Sequence, residues 1–145
     1  MATTGANGVL SGLAKFTPVT HVILRIAAGL LFMQHGAQKL FGWFGGMGGS
    51  GATAELFSQM GFAGVLEFFG GLLIVAGLLT RPVALVLAIE MVVAYGMAHM
   101  PHALAPIQNG GELALLYAVI FLYFATAGAG RASVDGLIAG RGTRS

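Results

Sequence analysis

The stretch VTHVILRIAAGLLFMQHGAQKLF, residues 19–41, sets the class of this protein. Most of its side chains are apolar, and a run of about 20 such residues is long enough to cross a bilayer as a helix. It also carries Arg25, His35 and Lys39, whereas the apolar segment of a secretory signal peptide is short and uncharged. We therefore interpret it as a retained spanning helix, with a signal anchor as the alternative.

Three further apolar stretches follow, at residues 62–79, 83–100 and 112–129. In lipid only helices and closed barrels satisfy every backbone hydrogen bond, and no alternating ten-residue barrel pattern is present. Glycine-rich residues 42–51, with Trp43, are typical of a chain leaving the bilayer at its interface. The sequence thus predicts an all-α fold, an integral membrane four-helix bundle over residues 17–130.

The composition of the whole chain agrees with a lipid environment. The chain has 145 residues, of which 57% are hydrophobic and only 8% charged, against roughly 25% charged residues in an average soluble domain. It contains no cysteine, which excludes disulfides, thiolate metal sites and covalent haem attachment. Any redox chemistry must therefore come from a bound cofactor or a partner protein. Its few scattered cations argue against a nucleic-acid partner.

The two ends of the chain are expected to lie outside the bilayer. Residues 1–16 predict a flexible cytoplasmic tail, and residues 131–145 predict a second cytoplasmic tail in which Ser133 caps a short amphipathic helix. Four spans place both termini on the side of the loop after the second span. That side collects most of the basic residues, which favours both termini cytoplasmic: Lys15, Arg81, Arg131, Arg141 and Arg144.

Charged side chains at bilayer depth each cost roughly 2.5 to 3.5 kcal/mol on insertion scales, so each is expected to have a partner or a function. Counting about 1.5 Å per residue along alternating spans predicts two levels. Glu90 falls near the level of Arg25, which predicts a structural ion pair between them. Glu67 falls near the level of His35 and Lys39, which predicts a second ion pair.

Two helices are expected to turn a polar face toward the bundle. On the first, Arg25, His35 and Lys39 lie within roughly 120° of one face, together with a phenylalanine and a glycine. On the fourth, Glu112 shares a face with Tyr123. The outer half of the bundle then collects a set of ionisable groups: His35, Lys39, Glu67, His99, His102 and Glu112.

Several interpretations of these groups remain open. The polar groups either neutralise one another and fix the packing of the bundle, or His35, Lys39 and Glu67 hydrogen-bond a small polar molecule or a quinone head group. His35 and His99 are also candidate ligands of a b-type haem. The thioether and imidazole groups of residues 97–102, MAHMPH, suit copper, although methionine often serves only as filler.

Four segments resemble a known family. They are RIAAGLLFMQHGAQK at residues 25–39, EFFGG at 67–71, NGGE at 109–112 and GAGRASVD at 128–135. Together with His99 they resemble the DoxX proteins, over about residues 21–137. The first segment is the most specific of the four, because its composition is unusual for a spanning helix.

The resemblance implies a four-helix protein of the bacterial cytoplasmic membrane. The family takes its name from a subunit of thiosulfate:quinone oxidoreductase, and its members accompany oxidoreductase partners. The resemblance therefore implies a subunit of a quinone-linked complex, with quinone as the expected non-covalent cofactor and protein partners in the membrane.

Within that reading we assign His35 and Glu67 as catalytic, with Glu67 orienting an imidazole that takes up a proton. A second group is expected to bind the ligand: Arg25, Lys39, His99 and Glu112. The alternative function is a non-catalytic assembly or scaffold subunit of a larger membrane complex. A small carrier of solute or protons is a third option, which needs a water path through the bundle.

Overall fold

A computed structural model describes residues 11–142, and the chain is helical with no strand in that range. The four long helices are α1, Thr17–Phe41, α2, Gln59–Ala76, α3, Thr80–His99, and α5, Glu112–Ala127. Between the last two lies the short α4, Pro106–Asn109, and the chain continues into α6, Val134–Gly142. The short helix predicted after Ser133 is therefore present, while the predicted N-terminal tail falls largely on residues outside the described range.

The helix ends follow from local sequence. Pro18 lies in the first turn of α1, where its missing N–H has no partner to lose. Gly42 ends α1 in the left-handed conformation. The Ser58 hydroxyl accepts the backbone N–H of Gly61 at 3.1 Å and so caps the start of α2. A second left-handed glycine, Gly77, ends α2 and permits the tight turn into α3.

Two of the long helices contain a turn of π-helix. In α2 it covers Leu66–Gly70 and includes Glu67. In α3 it covers Tyr95–His99 and ends that helix. Such turns are rare inside α-helices and occur frequently at functional sites.

Glycines bring α1 and α2 into close contact. A Cβ atom added to Gly36 would lie 2.7 Å from the carbonyl oxygen of Gly64, and one added to Gly29 would lie 2.8 Å from that of Gly71. Backbone atoms cannot yield as a flexible side chain can, so both crossings require glycine. The remaining interior is filled by large apolar side chains from all four long helices, among them Phe32, Ile74, Leu87, Phe121 and Phe124.

The outer surface of the bundle is apolar, with exposed isoleucine, leucine, valine and phenylalanine side chains along the long helices. α1, α2 and α3 are long and apolar enough to span a membrane, and α5 is a shorter apolar helix of 16 residues. Lipid is the solvent that favours such a surface. The predicted all-α membrane bundle is confirmed.

The bundle has two distinct ends. We call the end that carries the start of α1, the turn at residues 77–79 and residues 128–135 the terminal end. The opposite end, with residues 42–58 and 100–111, is the loop end. The cytoplasmic placement of the terminal end stays a prediction.

The face of α5 that packs inward differs from the predicted one. Tyr117, Phe121 and Phe124 are buried, whereas Tyr123 is 43% exposed and Glu112 is also exposed. The inward face is set by the aromatic rings that fill the interior against Phe32, whose ring centre lies 4.8 Å from that of Phe121. The prediction that Glu112 and Tyr123 face the bundle is wrong.

Candidate functional site

All four long helices contribute to one group of polar side chains on the loop-end side of the apolar interior. We call it the polar cluster, and it consists of His35 and Lys39 from α1, Glu67 from α2, Glu90 from α3 and Tyr117 from α5. The inward face predicted for α1 explains the first two members, because Arg25 and Phe32 on the same face are buried.

Lys39 and Glu67 form an ion pair. The Lys39 Nζ atom donates to Glu67 Oε2 at 2.5 Å. The carboxylate is buried, with 4% of the residue exposed, and it lies in the π-helical turn of α2. The ion pair predicted for Glu67 at this level is therefore confirmed, and the lysine rather than the histidine supplies the positive charge.

Glu90 lies beside this pair and interacts electrostatically with both of its members. Its two carboxylate oxygens are shielded from solvent, and within residues 11–142 neither has a hydrogen-bond partner. A buried acceptor that lacks a donor typically costs about 1–3 kcal/mol, and more if it is charged. The acceptor capacity of Glu90 is therefore unused within the described residues.

His35 and Tyr117 are the remaining members of the polar cluster. The centres of their rings are 6.1 Å apart in an edge-on arrangement, and Tyr117 interacts electrostatically with Glu67. His35 in turn interacts with Lys39, which is one helical turn further along α1. The imidazole and the phenol can each donate or accept a hydrogen bond, unlike the lysine and the ionised carboxylates.

The predicted ion pair between Arg25 and Glu90 is absent, and the prediction is wrong. Arg25 lies at the level of Val75 and Gly77, beside the turn that joins α2 to α3. α3 begins at Thr80 rather than at residue 83, so Glu90 is about 15 Å further along the bundle. Gly70 approaches Leu87, which places Glu90 at the level of Glu67 instead.

Arg25 instead holds the C-terminal segment against the terminal end. Its guanidinium donates to the carbonyl oxygens of Ala129 and Ala132, the latter at 2.5 Å, and reaches that of Val75 at 3.4 Å. With only 1% of the residue exposed, its charge is compensated by backbone dipoles. Arg25 is thus a structural residue, remote from the other predicted ligand-binding residues.

Asp135 completes this connection from the other side. Its carboxylate accepts the backbone N–H groups of Leu79 at 2.8 Å and Thr80 at 2.9 Å, and so caps the start of α3 from another helix. Partial burial acts to raise the pKa of Asp135, but these two N–H donors and the nearby positive charge of Arg25 outweigh it and hold the pKa below its usual value.

The two remaining predicted ligand-binding residues lie near the loop end, outside the polar cluster. The His99 Nδ1 atom lies 3.0 Å from the carbonyl oxygen of Asn109 and stabilises the loop between α3 and α5. Glu112 is exposed in the first turn of α5. The structure thus places the predicted ligand-binding residues His99 and Glu112 apart from Glu67. Tyr117, which belongs to the polar cluster, was not among the predicted site residues.

The position of Tyr117 in the sequence could have identified it as a member of the polar cluster. It lies near the middle of a 16-residue apolar helix, where a phenolic hydroxyl has no water to bind and is expected to face other polar groups. The same reasoning applies to Glu90, which was singled out but assigned to the wrong level.

Chemically, the polar cluster combines one permanent cation with two carboxylates, an imidazole and a phenol. Donors and acceptors therefore lie side by side in a low-dielectric environment, where hydrogen bonds to a bound molecule are strong. These groups can donate and accept hydrogen bonds, and they can give up or accept protons.

Comparison with known proteins supports the family indicated by the sequence motifs. The DoxX family model matches residues 20–100, which cover α1 from its fourth residue, all of α2 and α3, and four of the five cluster residues. A Haemophilus influenzae protein described as uncharacterized is 39% identical over 130 residues, which cover 87% of this chain and 96% of that protein. No solved structure matches the chain. The chain belongs to the DoxX family.

Proposed function

We propose that this protein is a subunit of a quinone-linked oxidoreductase in the bacterial cytoplasmic membrane, and that the polar cluster binds the quinone head group. The observation that carries the proposal is Glu90, a buried carboxylate without a donor, beside an ion pair and two neutral donors. A buried acceptor of this kind favours a ligand that brings a hydroxyl group.

The donors and acceptors fit both redox forms of such a ligand. Lys39, His35 and Tyr117 offer N–H and O–H groups to the carbonyl oxygens of a quinone, and Glu90 offers acceptor oxygens to a hydroxyl of the quinol. When bound, a quinone supplies two-electron chemistry coupled to two protons. His35 and Glu90 are the groups that hold or release those protons, and Glu67 fixes the position of Lys39 through their ion pair.

Membership of a larger complex is part of the proposal. The motif resemblance supports it, because DoxX-like proteins accompany oxidoreductases. The electrons would come from a partner subunit, and the exposed apolar flanks of the bundle offer area for helices of that partner. We further propose that the terminal end faces the cytoplasm, as the basic residues near it favour.

The test uses the complex purified from native membranes. The His35→Ala and Glu90→Gln variants are expected to lose quinone-dependent turnover while the complex stays assembled. Glu55→Gln, in the exposed loop before α2, is the matched control and is expected to turn over normally. Unchanged turnover in both cluster variants would contradict the proposal, and an assembled complex with no quinone between its helices would favour a scaffold role.

A further inference from the structure

A groove runs between α1 and α5 on the outer surface of the bundle. These two helices contact each other near the terminal end, where the His21 Nδ1 atom lies 2.8 Å from the Tyr123 hydroxyl oxygen. They contact each other again where Phe32 meets Tyr117 and Phe121, with ring centres 5.0 and 4.8 Å apart. Outside these contacts the helices leave a groove of about 150 Å³. The lining is apolar apart from the phenol of Tyr117, and it includes Ala27, Ala28, Leu31, Leu113, Leu116 and Ile120.

The groove borders the polar cluster at Tyr117. The ring of Tyr117 forms part of the groove wall and also faces His35 at 6.1 Å. The residue as a whole is 5% exposed, so the ring separates the apolar groove from the polar groups behind it. A ligand that passes this ring from the groove would place a polar end in the polar cluster and keep an apolar end against α1 and α5.

The size and position of the groove limit what can occupy it. An apolar cavity of about 150 Å³ stays dry and takes a benzene-sized molecule, which corresponds to about six carbon atoms. Leu31 and Leu116, on opposite sides, are both more than half exposed, so the groove opens toward the acyl chains. Water has no favourable path along such a lining.

We infer that the ligand of the polar cluster is an amphiphile that enters sideways from the bilayer, and that the groove between α1 and α5 holds the first branched five-carbon unit of its tail. This inference rests on the proposed function and specifies its substrate class. Any further tail units extend into lipid, because the groove is too small for them. Discrimination is therefore expected between a ligand with no tail and one with a single unit.

The test measures binding in lipid nanodiscs by titration calorimetry, with a dimethoxy-methyl-benzoquinone that carries no, one or two isoprene units. Ala27→Phe places a ring in the groove, where it would exclude the first isoprene unit. Binding of both tailed quinones should therefore weaken by about tenfold, while the affinity for the tail-free quinone should not change. Leu113→Phe fills the groove from α5 and should act in the same way. Leu30→Phe, on the lipid-facing side of α1, is the matched control and should change none of the three affinities.

The outcomes separate this inference from the function on which it rests. If the unaltered protein binds none of the quinones above the level of empty nanodiscs, the proposed function fails. If it binds them but the groove variants weaken all three equally, or none, the sideways entry is wrong. If the groove variants instead dissociate a dimer and leave binding intact, the groove is an interface between copies of this chain, which also overturns the inference.

Discussion

Arg25 at the terminal end and Glu90 in the polar cluster are both ionisable groups buried in the same bundle, but their surroundings differ. The Arg25 guanidinium donates to three backbone carbonyls and is held near Asp135. Glu90 has no donor within the described part of the chain. Only the Nε atom of Arg25 lacks a hydrogen-bond partner within the described residues, whereas both oxygens of Glu90 lack one. The surroundings of Arg25 therefore suit a structural role, and those of Glu90 leave its acceptors unused.

The largest effect is expected from Arg25→Ala. The substitution leaves the carbonyls of Ala129, Ala132 and Val75 without their donor and opens a cavity, which should lower the free energy of unfolding by about 3 kcal/mol or more. Chemical denaturation in detergent micelles would measure it. The exposed Arg131, replaced by alanine, is the control and should have little effect. Equal stability of the two variants would contradict the structural role of Arg25.

Gly36→Ala tests the helix contact that positions the polar cluster. The added methyl group meets backbone atoms of Gly64 and Phe68, so α1 and α2 must separate, at a cost of about 1–3 kcal/mol. Thermal unfolding followed by circular dichroism would show the loss. Gly96→Ala is the matched control, because nothing lies within 4 Å of a Cβ atom there. A similar shift in both variants would show that the loss reflects backbone effects rather than the helix contact.

The same substitution at the two carboxylates should have different results. Glu67→Leu removes the partner of Lys39 and should destabilise the fold by about 2 kcal/mol. Glu90→Leu removes an acceptor that has no donor, so it should leave stability unchanged or raise it by about 1 kcal/mol. Denaturant titrations of both variants at neutral pH would measure the difference. A large loss in Glu90→Leu would mean that Glu90 has a structural partner.

The smallest effect concerns Asp135. Its pKa is lowered in the folded protein, so its contribution is fully present above the pKa of the unfolded chain, at about pH 4, and is lost as the pH falls through the lower folded value. Asp135→Ala should cost about 1 kcal/mol at neutral pH through loss of the cap on α3. Melting curves from pH 7 to below pH 4 should converge for the variant and the unaltered protein. A gap that persists in acid would assign the loss to packing instead.

The features that the sequence could predict are those marked by contrast between polar and apolar positions. The four spans, the inward face of α1 and the pairing of Glu67 follow from a few polar residues in apolar stretches. The inward face of α5 could not be read in this way, because nearly every position from residue 113 to 122 is apolar. There the aromatic rings that fit against Phe32 set the orientation, which is a property of packing.

The level of Glu90 depended on a turn rather than on its own surroundings. Gly77 and Leu79 both have positive φ angles, and the turn that they form allows α3 to begin at Thr80. An error of three residues in the start of α3 displaces Glu90 by about 4.5 Å along the bundle. The rest of the roughly 15 Å separation arises because Arg25 lies at the level of the turn itself. The start of a helix is among the least certain features of a sequence, so the partner of a buried charge is more easily misassigned than the helix that carries it.

The π-helical turn at Leu66–Gly70 makes the length of α2 critical. Deleting one residue from this turn would let the chain wind as a regular α-helix, and everything on one side would rotate by about 100° relative to the other. The half of α2 that begins at Gln59 would then lose its alignment with Lys39, while Gly71 kept its place against Gly29. Insertions and deletions should therefore be tolerated far more readily in the loop at residues 42–58 than in these five residues.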